Sequence, residues 1–224
     1  FSLAVCAALD QFLEEVERGE RPVLLLQAPP QHGKSQLVSR LFPAYLFGRR
    51  PQTRLAACSY AANLAREMNR DVQRIMAGPA YRALFPDRAL LDRATENQGS
   101  GAGRRGRPLR NADRFDVPGG GFYVCAGVGG PLTGKSVDIG IIDHPIKNQE
   151  EARSATVKRG IRSWYETVFL TRLSRRSGHI IMATSWAADD LVATVAKVNP
   201  KARHLKFPAV SRDEHGRETA LVPD

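Results

Sequence analysis

Gly33, Lys34 and Ser35 stand together at the end of a short loop, Gln27-Ala28-Pro29-Pro30-Gln31-His32, that follows the apolar run Val23–Leu26. Those residue types suit a triphosphate. A lysine ammonium is a fixed positive charge for phosphate oxygens, a serine hydroxyl can ligate Mg²⁺, and a glycine lets the backbone N–H groups approach the anion. The spacing matches G-x-x-x-x-G-K-[ST] except that Ala28 stands where the first glycine belongs. Pro30, Gln31, His32, Gly33, Lys34 and Ser35 are therefore the expected nucleotide-binding residues, with ATP and Mg²⁺ as ligands. Such loops need a carboxylate at the tip of an apolar strand to share the metal, and Ile139-Gly140-Ile141-Ile142-Asp143 offers one. Standing alone, Asp143 reads more naturally as a turn residue closing a strand; with the loop upstream, Ser35 and Asp143 form the expected metal pair. A third segment, His179–Ala183 followed by Thr184, Ser185 and Trp186, ends a strand in hydroxyls that could sense a γ-phosphate. By itself it is indistinguishable from any strand end.

These groups must be held by elements, and the apolar spacing supplies them. Val5, Leu9, Phe12, Leu13 and Val16 predict a helix over 3–18 that stops at Gly19. The run Val23–Leu26 predicts a buried strand, 36–48 the helix after the loop, and 54–59 a second strand. A helix over 61–77 follows, with 81–92 short and irregular. Further strands are expected at 122–126, 139–142 and 179–183, and a helical stretch at 150–173 with a break near Ser154 or Gly160. Strands alternating with helices argue for an α/β domain with a largely parallel sheet. Residues 99–121 interrupt the pattern with Gly, Arg and Pro. Residues 104–114 carry five Arg and one Asp, so the segment reads equally as a flexible surface loop or as a phosphate-contacting arm.

The 224 residues carry 33 Lys+Arg against 23 Asp+Glu, a formal charge of +10, which favours a polyanionic partner such as nucleic acid. With 42% apolar residues the chain can bury a real core. No stretch approaches the roughly 18 consecutive apolar residues of a membrane span, so no membrane association is expected. Cys6, Cys58 and Cys125 are odd in number and far apart, which suggests neither a disulfide framework nor a zinc site and fits a reducing compartment. The N-terminal stretch has no basic leader and does not read as a signal peptide.

Taken in order, Pro29–Ser35, Ala126–Lys135, Ile141–Asn148, Glu150-Glu151-Ala152, Trp164-Tyr165, Thr171-Arg172-Leu173, Ala183–Trp186 and Asp189-Asp190-Leu191 resemble the large terminase subunit, the DNA-packaging motor of tailed bacteriophages. The resemblance implies a P-loop NTPase of the ASCE, RecA-like kind, with a mainly parallel central sheet flanked by helices, over residues 1–224. It implies ATP hydrolysis that drives double-stranded DNA into a procapsid. Lys34, Asp143 and the residue at position 144 would be catalytic, and Thr184 and Ser185 would couple the γ-phosphate to movement. The implied partners are DNA, the portal protein, the small terminase subunit and further copies in a ring, five in number, with a monomer conceivable for the domain in isolation. The implied location is the host cytoplasm, docked transiently on the capsid. Such subunits also carry a C-terminal nuclease domain; it is expected to lie beyond a linker that begins near 208–224, so no DNA cutting is expected of this chain.

Two positions depart from the family pattern, which usually has Arg at Gln31 and a carboxylate at His144, where water is oriented. Reduced turnover is therefore expected, although a neutral imidazole at position 144 can still accept a proton from water. For a basic residue acting on a neighbouring subunit's nucleotide, the candidates are Lys135, Arg104 and Arg105. Two other functions compete with the packaging motor: a helicase-like P-loop translocase, and a nucleotide-binding assembly module that hydrolyses poorly.

Overall fold

The computed structural model describes residues 1–90, 109–132, 134, 136–184, 187–212 and 218–220. Strands β1 (Val23–Gln27), β2 (Arg54–Ser59), β4 (Phe122–Gly127), β5 (Val137–Asp143), β6 (Leu173–Ala183) and β7 (Arg203–Lys206) pair in parallel, and β3 (Arg114–Asp116) joins β4 antiparallel. The seven-stranded order is β3-β4-β2-β5-β6-β1-β7. A separate hairpin pairs β8 (Val210–Arg212) with β9 (Glu218–Ala220), inside the stretch expected to begin a linker. The α/β class and the parallel sheet are as the alternation of elements predicts.

Burial on both faces explains the unbroken apolar strands. Along β1 every residue is buried, with Leu24 and Leu26 in one cluster and Val23 and Leu25 in the other. The first face is covered by α1 (Ser2–Arg18), α2 (Lys34–Gln36), a π-helical turn (Leu37–Leu41), α3 (Phe42–Arg49), α4 (Ala62–Ala77) and α5 (Pro79–Leu84). Its core holds Phe12, Val38, Phe47, Val72, Phe115 and Tyr123. The second face is covered by α6 (Gln149–Arg153), α7 (Ala155–Trp164), a π turn (Tyr165–Phe169) and α8 (Leu191–Val198). Ile161, Trp164, Phe169 and Val195 fill that layer. Among the described residues no helix is long and apolar enough to cross a membrane.

Several expectations need correcting. The segment 99–121 is not one flexible loop. Residues 91–108 lie outside the described residues, but 109–121 is folded: β3 pairs with β4, and the Arg114 guanidinium bonds Asp116 at 2.8 Å. Buried Gln73 of α4 donates to the Asn111 carbonyl at 2.9 Å and accepts from Arg110 Nε at 3.0 Å. A basic composition there hides a ribbon anchored on α4. The region 81–92, expected to be irregular, contains α5 and a 3₁₀ turn at Pro86–Arg88. Arg172 ends the 3₁₀ turn Leu170–Arg172, and Arg175 and Arg176 lie on β6. The helix predicted for 150–173 does break at Ser154, whose side chain accepts from Val157 N–H to start α7. Glu150 and Glu151 fall in the first turn of α6, where acids suit the helix dipole.

Candidate nucleotide-binding site

Parallel α/β sheets present ligand sites beyond the carboxyl ends of their strands, because there the loops lead into helix N-termini. Three strands end together here. β6 lies between β1 and β5, so residue 184 emerges between the loop after β1 and Asp143 at the end of β5. In the loop, Gln31 has φ 63° and Gly33 φ 71°, left-handed conformations that a glycine adopts without strain and a glutamine does not. A Cβ at Gly33 would meet nothing within 4 Å, so backbone conformation and access for a ligand, not crowding, are what favour glycine there. Ala28, in the place of the first glycine, is buried. His32 Nδ1 lies 2.7 Å from the Pro30 carbonyl, closing the loop locally.

Lys34 is only 4% exposed. Its ammonium donates to the Pro29 carbonyl at 3.1 Å and to Thr184 Oγ1 at 3.2 Å. Burial pulls its pKa down from the ordinary lysine value, opposed by the nearby Asp143 charge. Asp143 is 1% exposed. Its Oδ1 accepts from Ser35 Oγ at 3.2 Å and lies 2.6 Å from His144 Nδ1, while Oδ2 accepts from Ser39 Oγ at 2.7 Å. His144 Nε2 lies 3.4 Å from Thr184 Oγ1. Because an ammonium only donates and an ionised carboxylate only accepts, the directions follow. Lys34 donates to Thr184, whose hydroxyl proton is left to face His144 Nε2, and Nδ1–H of the imidazole donates to Asp143.

The His144 backbone is itself unusual, with φ 53°. It is held by two hydrogen bonds of 2.9 Å, from its N–H to the Met182 carbonyl and from Tyr60 N–H to its own carbonyl. Tyr60 is half-buried beside the site, in keeping with a residue packed between sheet and helix. The structure thus brings together Lys34, Ser35, Asp143, His144 and Thr184. Ser185, Trp186, Lys135, Arg104 and Arg105 lie outside the described residues.

Two groups were not anticipated. Ser39 is invisible to the loop motif because its partner is more than one hundred residues away. Asp190 caps α8, accepting from Ala193 N–H at 2.9 Å, is 3% exposed, and shares a small gap with His144 and Thr184. Its Oδ2 has no hydrogen-bond partner among the described residues, and burial raises its pKa. The sequence signal for the cap was present, an acid just before the apolar Leu191-Val192.

The residues fit a hard divalent cation. Asp143 is a buried carboxylate that forms no ion pair with Lys or Arg among the described residues; hydroxyls and one imidazole surround it. Hydroxyl and carboxylate oxygens are the donors Mg²⁺ takes in phosphate sites, with substrate and water supplying the rest. Among the described residues no group of three or more His, Cys, Asp or Glu is placed to hold a metal.

A glycine-lysine-serine loop after the first strand, an acid on a strand two places away and one strand between them define a P-loop α/β nucleotide-binding domain of the RecA-like kind. Residues 25–219 match the family model for the terminase large subunit, T4likevirus-type, N-terminal, and the chain belongs to that family. The structure is similar to the crystal structure of the HK97 bacteriophage large terminase, with a TM-score of 0.54 and 14% identity, over 90% of this chain and 39% of that one. The likeness is one of fold, and the chain spans about two fifths of that protein's length. No curated protein matches the chain in sequence.

Proposed function

We propose that this domain hydrolyses ATP to move double-stranded DNA into a viral procapsid. The observation that carries the reading is the convergence of Lys34 and Asp143, 109 positions apart in sequence, on one hydrogen-bonded cluster through Ser35, Thr184 and His144. Lys34 would bind β- and γ-phosphate oxygens after exchanging Pro29 and Thr184 for them. Burial strengthens the attraction of its ammonium for phosphate. Ser35 and Asp143 would hold Mg²⁺, which when bound offsets the phosphate charge. His144 would orient the attacking water. With Nδ1 turned to Asp143, Nε2 is the ring nitrogen left for water, which would take the place that the Thr184 hydroxyl holds beside it in this structure. Thr184, bonded to Lys34 in this structure, would report the γ-phosphate to β6 and, with Ser185, couple its loss to movement. Lys135, Arg104 and Arg105 remain the proposed basic residues acting across a subunit boundary.

The family supports the larger setting of this proposal: a ring of subunits, five in the proposal, on the portal protein, supplied with DNA by the small terminase subunit in the host cytoplasm. The +10 charge suits the polyanionic track. The test is Mg²⁺-dependent ATP turnover by the wild type, Lys34→Ala and His144→Glu. Removing the ammonium should cut turnover by at least about 100-fold, the scale on which electrostatic groups act in phosphoryl transfer. A carboxylate at position 144 should raise it. Unchanged nucleotide binding and turnover in Lys34→Ala would remove the loop assignment.

A further inference from the structure

The helix after the loop is broken in an informative way. Pro43 lacks an N–H, and in an uninterrupted α-helix its ring would collide with the carbonyl four residues earlier, that of Ser39. The chain answers with the π turn Leu37–Leu41, in which the Phe42 N–H reaches back five residues to the Leu37 carbonyl. Single π turns are a recognised way of relieving such a clash and recur at functional sites. This one carries Ser39, which has no exposed surface. Its hydroxyl donates 2.7 Å to Asp143 Oδ2, and among the described residues no other group donates to that oxygen. Asp143 Oδ1 faces the loop, with Ser35 and His144.

We infer that Ser39 is a positioning residue for the metal-binding carboxylate: it pins Oδ2 from inside the helix layer so that Oδ1 is presented beside Ser35. The inference rests on the proposed role of Asp143. The reason is torsional. A carboxylate turns broadly about its last side-chain bond, and a hydroxyl on the face away from the ligand fixes that angle before any cation arrives. Outer partners of metal ligands act in this way, and their loss costs metal affinity without removing a ligand. Ser35 and Ser39 lie four apart, on one face of the helical stretch, so a single element sets both the hydroxyl at the metal and the hydroxyl behind its carboxylate.

The test is Mn²⁺ binding to the whole chain by electron paramagnetic resonance, with a non-hydrolysable ATP analogue present, in wild type, Ser39→Ala and Ser39→Cys. The affinity of a fluorescent ATP analogue in EDTA and the melting temperature are measured alongside. Ser39→Ala should weaken Mn²⁺ about 10-fold, the lower end of what outer partners contribute. The near-isosteric, weakly donating Cys should fall between Ala and wild type. Nucleotide affinity in EDTA should stay within about two-fold, since the loop contacts are untouched. Unchanged Mn²⁺ affinity, or metal and metal-free nucleotide affinity falling together, would overturn the inference. If Ser39→Ala does not fold, the Cys variant decides by the same criteria. Asp143→Ala separates the two levels. Mn²⁺ lost in Asp143→Ala but retained in Ser39→Ala refutes the role of Ser39 alone, whereas Mn²⁺ binding unaffected in Asp143→Ala refutes the site.

Discussion

Acidification should unlatch the sheet at a place remote from the nucleotide loop, through His179. This histidine lies on β6, is 5% exposed, and shares a 2.7 Å hydrogen bond between its Nε2 and the Tyr165 hydroxyl. Tyr165 and Phe169 pack on its ring, each with centroids 5.7 Å away, and Arg21 and Glu166 line the adjoining cleft. Burial, reinforced by the Arg21 charge, pushes the imidazole pKa down from 6.5 to about 4. The unfolded chain therefore binds this proton more tightly than the folded one. Stability from the neutral ring is complete above pH 6.5 and is lost as the pH falls through the window from 6.5 to about 4. The full shift corresponds to about 3 kcal/mol, and by pH 5 about 2 kcal/mol of it is gone. Urea denaturation at pH 7.5 and 5.0 measures the loss, and the same pair of measurements on His179→Phe isolates the residue. Carboxylates and the other histidines titrate in both proteins and cancel. Wild type should lose about 2 kcal/mol more than the variant over that interval. Equal losses would refute the reasoning, because they would mean that the buried ring takes up its proton without penalty.

Two further outcomes follow from close packing around the site. A Cβ at Gly140, three residues before Asp143, would lie 2.5 Å from Phe169 Cζ. Gly140→Ala should thus cost about 2 kcal/mol by overpacking, read as a lowered denaturation midpoint at constant slope. Asp190→Asn keeps the oxygen that caps α8 and removes a buried charge whose second oxygen has no partner among the described residues. It should leave stability at pH 7 unchanged or raised in thermal denaturation, whereas Asp190→Ala, which loses the cap, should cost about 1 kcal/mol.

Much of the layout was legible because it is written locally. Strand β2 spans the predicted 54–59, and α1 stops at Gly19, which takes the left-handed φ of 80°. A four-residue apolar run bounded by turn formers reads as a buried strand whichever strands flank it. What failed was either short or compositionally misleading. The three residues of β3 sit in an arginine-rich stretch that is ordered by one buried side chain, Phe115, packed on Phe47 and Tyr123, and by Gln73 of α4, which bonds the Asn111 carbonyl. Nor did the helix expected over 36–48 betray its π turn. The clue, Pro43, was present, but what the turn achieves depends on a carboxylate 104 positions further on.

The sequence by itself determined that a glycine-lysine-serine loop follows the first strand, that an acid ends a later one, and that strands and helices alternate. Each of these is a matter of neighbouring residues: apolar period, turn chemistry and the spacing of a few functional groups. Only the tertiary structure decided that β6 inserts between β1 and β5, so that Thr184 comes to bridge Lys34 and His144. It also decided that Ser39 backs Asp143. Strand order is not encoded in periodicity, because every buried parallel strand presents the same apolar faces to its neighbours. It is selected by how the covering helices pack, and that selection is what turned five scattered side chains into one site.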